Sequence, residues 1–132
     1  MAKYAYPAVF TPEENGLFSV TFPDLEGCYT CGDNIEDAIR MAEDVLAFTL
    51  YDYEQERKNL PAPSSFTDIP LKEGDFVNFV RCDTQEYHRR NSTRAVKKTL
   101  SVPEWLNDEA EKAGLNFSQV LQEALKEKLG VA

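Results

Sequence analysis

Histidine is almost missing from this chain of 132 residues, and cysteine is sparse and odd in number, with one His and three Cys. His88 stands in the polar stretch Thr84–Ser92 (TQEYHRRNS), beside Arg89 and Arg90. A general base needs a partner that orients it, and no carboxylate or nucleophile is fixed there by the sequence. The expected reading is a solvated linker residue. Cys28 and Cys31 have the CxxC spacing of a zinc or redox pair, but they fall in a turn-and-strand context. They do not themselves sit at a helix start, which would lower a thiolate pKa. Cys82 and His88 stand at a poor spacing to complete a zinc site, so no metal and no cofactor is expected. Three cysteines without a signal peptide point to a reducing compartment, the cytoplasm. No apolar run approaches membrane-spanning length, so no membrane association is expected. Gly27 and Gly114 fit no phosphate-loop pattern, and no internal repeat is visible.

Bases are also few, fourteen Lys and Arg against twenty-three Asp and Glu, for a net charge of −9. That balance argues against nucleic acid, but the charge is unevenly spread. Residues 1–88 hold six bases against seventeen acids, a net −11, whereas residues 89–132 hold eight against six, a net +2. Arg89, Arg90, Arg94, Lys97 and Lys98 lie within ten residues that contain no acid. Such asymmetry suggests a basic segment for phosphate and an acidic body for something else, a basic partner among the candidates.

Hydrophobic residues make up 42% of the chain, enough for a folded body and a small module. Tyr4–Phe10 (YAYPAVF) reads as a strand in which Pro7 marks an edge or an irregularity. The turn Thr11–Gly16 ends in Asn-Gly, a strong hairpin signal, and Leu17–Phe22 is the return strand. Cys28–Cys31 resumes as a third strand, and Gly32-Asp33-Asn34 stops it. From Asn34, Ile35, Ala38, Ile39, Ala42, Val45, Leu46, Thr49, Leu50 and Tyr53 keep helical spacing for five turns. This predicts one long amphipathic helix over the sheet, ending before Asn59 and carrying Arg57 and Lys58 late, as its dipole favours. Pro61–Phe66 is a loop, Thr67–Leu71 an extended piece, and Phe76–Arg81 another strand. The body is therefore expected to be α+β, an antiparallel sheet with one long helix on it.

The acid pairs Asp24/Glu26 and Asp33/Asp37 could hold a metal ion for nuclease chemistry. Turns and helix starts collect acids anyway, so an enzyme is the weaker expectation.

Arg94–Leu129 carries the second set of cues. In Ala95–Val102, residue type alternates: Lys97, Thr99 and Ser101 on one side, Lys98, Leu100 and Val102 on the other. Pro103 suits a helix start, and Leu106, Ala110 and Ala113 share a face until Gly114. Asn116 with Gln119 predicts a capping box, after which Phe117, Val120, Leu121, Ala124, Leu125 and Leu129 repeat at helical spacing. Strand, helix and helix in so short a stretch cannot bury a core alone. Two copies pairing their strands about a two-fold axis would solve this, and the resulting ribbon fits a DNA major groove. The segment resembles a ribbon-helix-helix DNA-binding unit. An ordinary edge strand defended by lysines is the plain alternative.

Both halves together resemble the HicB family of antitoxins from toxin–antitoxin operons. The resemblance lies in FPDLEGCYTCGDNIEDAIRMAEDVL (Phe22–Leu46) and VKKTLSVPEWLNDEAEKAGLNFSQVLQEAL (Val96–Leu125). It implies a body with a partial ribonuclease-H-like fold over residues 1–88, a linker over 89–94, and a ribbon-helix-helix module over 95–132 for DNA binding and dimerisation. It also implies a partner, a small basic HicA-type toxin that cleaves mRNA, and an operator DNA bound by a homodimer or dimer of dimers. The acid that holds metal on the first strand of ribonuclease H has no counterpart in Tyr4–Phe10. By position, Lys97, Thr99 and Ser101 match the residues facing base edges, and Asn116, Phe117 and Ser118 match the phosphate-anchoring helix start. Lys98 takes a place that is usually apolar, with its stem able to pack and its ammonium free for solvent or phosphate. Asp24 and Glu26 are the toxin-contact candidates. The competing expectations are a ribbon-helix-helix regulator that senses a small ligand and a metal-dependent ribonuclease.

Overall fold

The computed structural model describes residues 2–132, which divide into two compact units, residues 1–94 and 95–132. In the first, strand β1 (Lys3–Pro12) is followed by β2 (Phe18–Thr21), β3 (Tyr29–Gly32), helix α1 (Ile35–Gln55), strand β4 (Phe76–Asp83) and helix α2 (Thr84–Asn91). The strands form one antiparallel sheet in the order β3-β2-β1-β4. The three-stranded meander is as the sequence predicts, and β4 adds itself beside β1.

Alternation decides the faces. Tyr6, Ala8 and Phe10 of β1, Val20 of β2 and Val80 of β4 point to one side and are buried there. Against them α1 sets Ala38, Ala42, Leu46 and Leu50, spaced as one helical stripe. Phe22, Leu25 and Cys28 close the end of this core from the loop between β2 and β3. Each fully buried large side chain contributes about 1.5–3 kcal/mol of apolar transfer. Small residues on the stripe let the helix come down close: a Cβ added at Gly32 would lie 2.3 Å from Ala38 N and 2.5 Å from its Cα. Pro7 sits in the central strand without breaking it. Its neighbour β4 pairs Phe79 with it, while β2 ends at Thr21 opposite Val9, so on that side β1 is already free.

α1 starts as the sequence predicts, with Asn34 Oδ1 accepting from Asp37 N at 2.9 Å. It stops earlier than expected. Arg57, at φ 55°, donates to Glu54 O while Lys58 N donates to Tyr53 O, a Schellman closure built on a non-glycine residue. Arg57 and Lys58 thus lie past the helix end, and its last turn has no base.

The linker expected over Thr84–Ser92 is instead α2. Asp83 caps it by accepting from Gln85 N and Glu86 N, at 2.9 and 3.3 Å. Thr84 is fully buried, its hydroxyl bonded to Ala2 O and Glu54 Oε2. Tyr87 and His88 then pack on Tyr51 of α1. The helix is stabilised by tertiary contacts that its polar composition conceals.

In the second unit, helix α3 spans Glu104–Lys112 and helix α4 spans Phe117–Leu129. Pro103 is the N-cap of α3, and Gly114, at φ 70°, closes it with Leu115 N donating to Ala110 O. Asn116 Oδ1 accepts from Gln119 N as predicted. The return half of the capping box is replaced, because the Gln119 amide donates to Glu123 Oε1 instead. Ala95–Val102 forms no strand within the single chain. A strand is defined by its ladder, and within the 95–132 unit the other elements are helices that offer it none.

Two stability outcomes follow from these contacts. Gly32→Ala should lower the unfolding free energy of the 1–94 unit by about 1–3 kcal/mol, because backbone atoms of Ala38 must move. Arg57→Gly should raise it by about 1 kcal/mol by relieving the left-handed conformation. Urea denaturation followed by circular dichroism measures both.

Candidate functional site

The 95–132 unit has no buried core of its own. None of its described residues is buried, and Val96, Leu100, Val102, Trp105, Leu106, Leu115, Val120 and Leu125 all expose large apolar side chains. Along α4, the exposed Phe117, Val120, Leu125 and Leu129 fall at spacings of three to five residues, which leaves an apolar stripe that no part of the unit covers. Lys97, Lys98, Thr99 and Ser101 are exposed on the segment leading into α3. Asn116, Phe117 and Ser118 lie together at the start of α4, where backbone N–H groups point out of the helix. Phe117 is half exposed, so its ring is available to a partner surface.

The candidate residues of the body separate. Asp24 is spent within the chain: its carboxylate accepts from Ser64 N at 2.9 Å and from the Ser64 hydroxyl, which ties the loop after α1 to the β2–β3 loop. Glu26 is exposed two residues on. Asp33 and Asp37 meet, but as capping groups. Asp37 Oδ2 accepts from Asp33 N at 2.9 Å, and its other oxygen pairs with Arg40.

The two cysteines of the CxxC spacing are turned apart. Three residues is an odd step along extended chain, so Cys28 points into the core and Cys31 out of it. Burial pushes the Cys28 thiol up, with the Thr49 hydroxyl, 3.4 Å from the sulfur, working against that. Cys82 is pushed up to about 12 by burial, with Asp83 and Glu54 adding to it. Tyr4 is likewise raised to about 12, by burial and then by its 2.7 Å hydrogen bond to Glu54. Both thiols therefore keep their protons at neutral pH and are poor nucleophiles. Among the described residues no group of three or more His, Cys, Asp or Glu side chains gathers as a metal site would require.

His88 is not a free linker residue. Its ring stacks on Tyr51, centroids 5.5 Å apart, and Nδ1 lies 2.9 Å from Tyr51 Oη and 3.2 Å from Ser92 Oγ. It fastens the end of α2 to α1. Below it, a cleft of about 510 Å³ opens between α1, α2 and the β1 and β4 strands. Tyr4, Ala47 and Cys82 line it, with four bases (Lys3, Arg40, Arg81, Arg90) and four acids (Glu43, Asp44, Asp83, Glu86). Charge of both signs in equal number suits neither an anion nor a cation in particular.

Sequence reading misses the face formed by α1 and α2. Phe48 of α1 is 58% exposed and meets Tyr87 of α2 edge to face at 6.5 Å. The available signal is that Phe48 falls outside the apolar stripe of α1, one step from Ala47. An aromatic residue at an outward position is unusual enough to mark.

The HicB-like antitoxin family of bacterial toxin–antitoxin systems matches residues 6–124. Antitoxin HicB 1 of Photorhabdus laumondii is 40% identical over 70 residues, covering 50% of this chain and 45% of that protein. Antitoxin HicB of Escherichia coli K12 is 33% identical over 72 residues, covering 50% and 52%. The matched region thus spans about half the length of these curated relatives, which are named as antitoxins and not as enzymes. Among solved structures, a toxin–antitoxin complex from Streptococcus pneumoniae aligns over 96% of this chain and 99% of that one, at 29% identity and a TM-score of 0.63. The crystal structure of antitoxin HicB3 aligns over 95% and 97%, at 30% identity and a TM-score of 0.52. The four-stranded sheet with its helix and the helical tail are thus shared with proteins of one kind, and this chain belongs to the HicB-like antitoxin family of bacterial toxin–antitoxin systems.

Proposed function

We propose that the chain neutralises a small basic HicA-type toxin with its 1–94 unit and represses its own operon through its 95–132 unit. The observation that carries the second half is the absence of any buried described residue from 95 to 132. Two short helices exposing this much apolar surface do not hold together alone in water. A second copy supplies the missing surface. In the arrangement we favour, Ala95–Val102 of the two copies pair antiparallel, Leu100 and Val102 turn onto the helices, and Lys97, Thr99 and Ser101 face outward from both strands. That is the ribbon-helix-helix plan, in which the ribbon enters the major groove and the helix starts at Asn116–Ser118 take flanking phosphates. Lys98 lies on the inward side, where its stem packs and its ammonium reaches the edge. The pair is a homodimer or a dimer of dimers.

The first half is supported by charge and by kinship. The body's excess of acid complements a basic protein. A solved relative at 30% identity and a TM-score of 0.50, which aligns with 61% of this chain, is described as a HicA3 and HicB3 toxin–antitoxin complex. The body is read as a reduced ribonuclease-H-like fold, and its role as a cover for the toxin rather than a nuclease agrees with β1, Lys3–Pro12, which has no acidic residue. A cytoplasmic setting fits a protein that meets both DNA and an mRNA-cleaving toxin.

The test separates the two halves. Replacing Lys97 and Thr99 together by alanine should lose about 1–3 kcal/mol of operator affinity for each base contact removed, while toxin neutralisation persists. Band-shift titration on the promoter region of the operon, alongside growth rescue on co-expression with the toxin, reads both. Operator binding that survives the double change would refute the ribbon.

Dimerisation has its own check. Val120→Asp should place an unpaired carboxylate in the apolar contact and return the chain to a monomer in sedimentation equilibrium.

A further inference from the structure

Helix α1 turns one complete ridge away from the sheet. Glu36, Arg40, Asp44, Phe48, Asp52 and, at the helix C-cap, Glu56 follow each other at intervals of four, and all six are exposed. Residues four apart stack one above another along a helix, so these side chains form a continuous row. Four are acids, and the one base is already paired with Asp37. At the centre of the row sits Phe48. Beside it Val45, Tyr87, Arg90 and Asn91 complete a notch of about 380 Å³.

A single exposed phenylalanine needs no explanation. An aromatic ring at the middle of an acidic row, backed by a second ring and an open notch, is a different case. It has the anatomy of a contact patch, an apolar anchor near the centre with charge around the rim. The anchor is also held in place. Tyr87 abuts Phe48 and Tyr51, and Tyr51 is stacked on His88, so the patch is firm before anything binds it.

We infer that this α1–α2 face is where the 1–94 unit docks its toxin, an inference that rests on the antitoxin reading above. The occupant is a small net-basic protein presenting Lys and Arg around an apolar recess that receives Phe48. Charge complementarity selects it: residues 1–94 hold nine bases against seventeen acids, a net −8, and the ridge is acidic on both sides of Phe48. The β2–β3 loop is the poorer candidate, because Asp24 there is committed to Ser64.

The experiment uses the full chain and the purified basic protein encoded by the neighbouring reading frame, with affinity measured by calorimetry at low and high salt. Phe48→Ala should weaken the complex by about tenfold or more, and Asp44→Lys with Asp52→Lys by about a hundredfold, with the salt dependence flattened. Glu26→Lys, on the other loop, should leave affinity within about twofold by the same reasoning. All these positions are exposed, and unchanged circular dichroism confirms that the variants fold. Undiminished binding by the α1 variants, or loss of binding through Glu26→Lys instead, overturns the docking face while the antitoxin reading stands. A change in the sedimentation of the chain alone on Phe48→Ala assigns the face to a second copy and also overturns the inference. Absence of any complex with the unaltered chain overturns the antitoxin reading and the inference with it.

Discussion

The body depends on how closely one helix can approach one sheet. Where β3 ends, the backbone of Gly32 lies against the first turn of α1, with no room for a β-carbon beside Ala38. That contact fixes the height of the helix, and Ala42 continues the close approach one turn on. Farther along, Leu46 and Leu50 share the buried core with Phe10, Val20 and Phe22. Small residues near the turn permit the close approach, and larger ones farther along fill the space between helix and sheet. Cys28 belongs to this arrangement. It is a core residue that touches Thr49 and the Val45 carbonyl, and its burial accounts for its position better than any redox role.

The two units meet the same requirement by opposite routes. The 1–94 unit has enough chain to lay a helix on a sheet and seal its apolar surface internally. The 95–132 unit has two helices and a preceding segment, and its apolar residues stay in contact with solvent. Surface-to-volume scaling makes this unavoidable for so short a piece. In the dimer proposed above, such a unit gains its core by association, which would tie its fold to concentration and to symmetry. The core of the 1–94 unit is complete without any such association.

Most of the architecture was legible because its signals are local and periodic. The Asn15-Gly16 turn, the helical stripe of α1, the Asn34 and Asn116 caps and the Gly114 stop each depend on nearby residues alone, and each stands where the sequence places it. Arg57 broke the pattern, since no local rule favours arginine in a left-handed closure over glycine. The alternation in Ala95–Val102 led to an expected strand, and the single chain shows none there, because a strand needs a partner to pair with. Capping chemistry was read only in half: Gln119 has the right spacing to return to Asn116, yet Glu123 offers it a competing acceptor one turn away. Phe48 and Tyr87 were missed as a pair because they are thirty-nine positions apart and meet only through tertiary structure.

The clearest failure of local reading, Thr84–Asn91, also changes the meaning of the charge pattern. TQEYHRRN has few apolar residues and strong linker character, so nothing within it announces a helix. Its support comes from Asp83 at the cap, from Thr84 buried against Ala2 and Glu54, and from Tyr51 beneath Tyr87 and His88. Once α2 is part of the body, Arg89 and Arg90 lie in its last turn, where they complement the helix dipole. The unit that follows, residues 95–132, then holds five bases against six acids, a net −1. Net charge therefore cannot recommend this unit to DNA. What remains is local: Lys97 and Lys98 stand side by side with no acid between Ala95 and Pro103, and the proposed pairing of two copies would double them on one ribbon. Screening restricts exposed charges to about 8–10 Å, so in the proposed ribbon this local density would decide the attraction to phosphate, and the acids on α3 and α4 would weigh less the farther they lie from it.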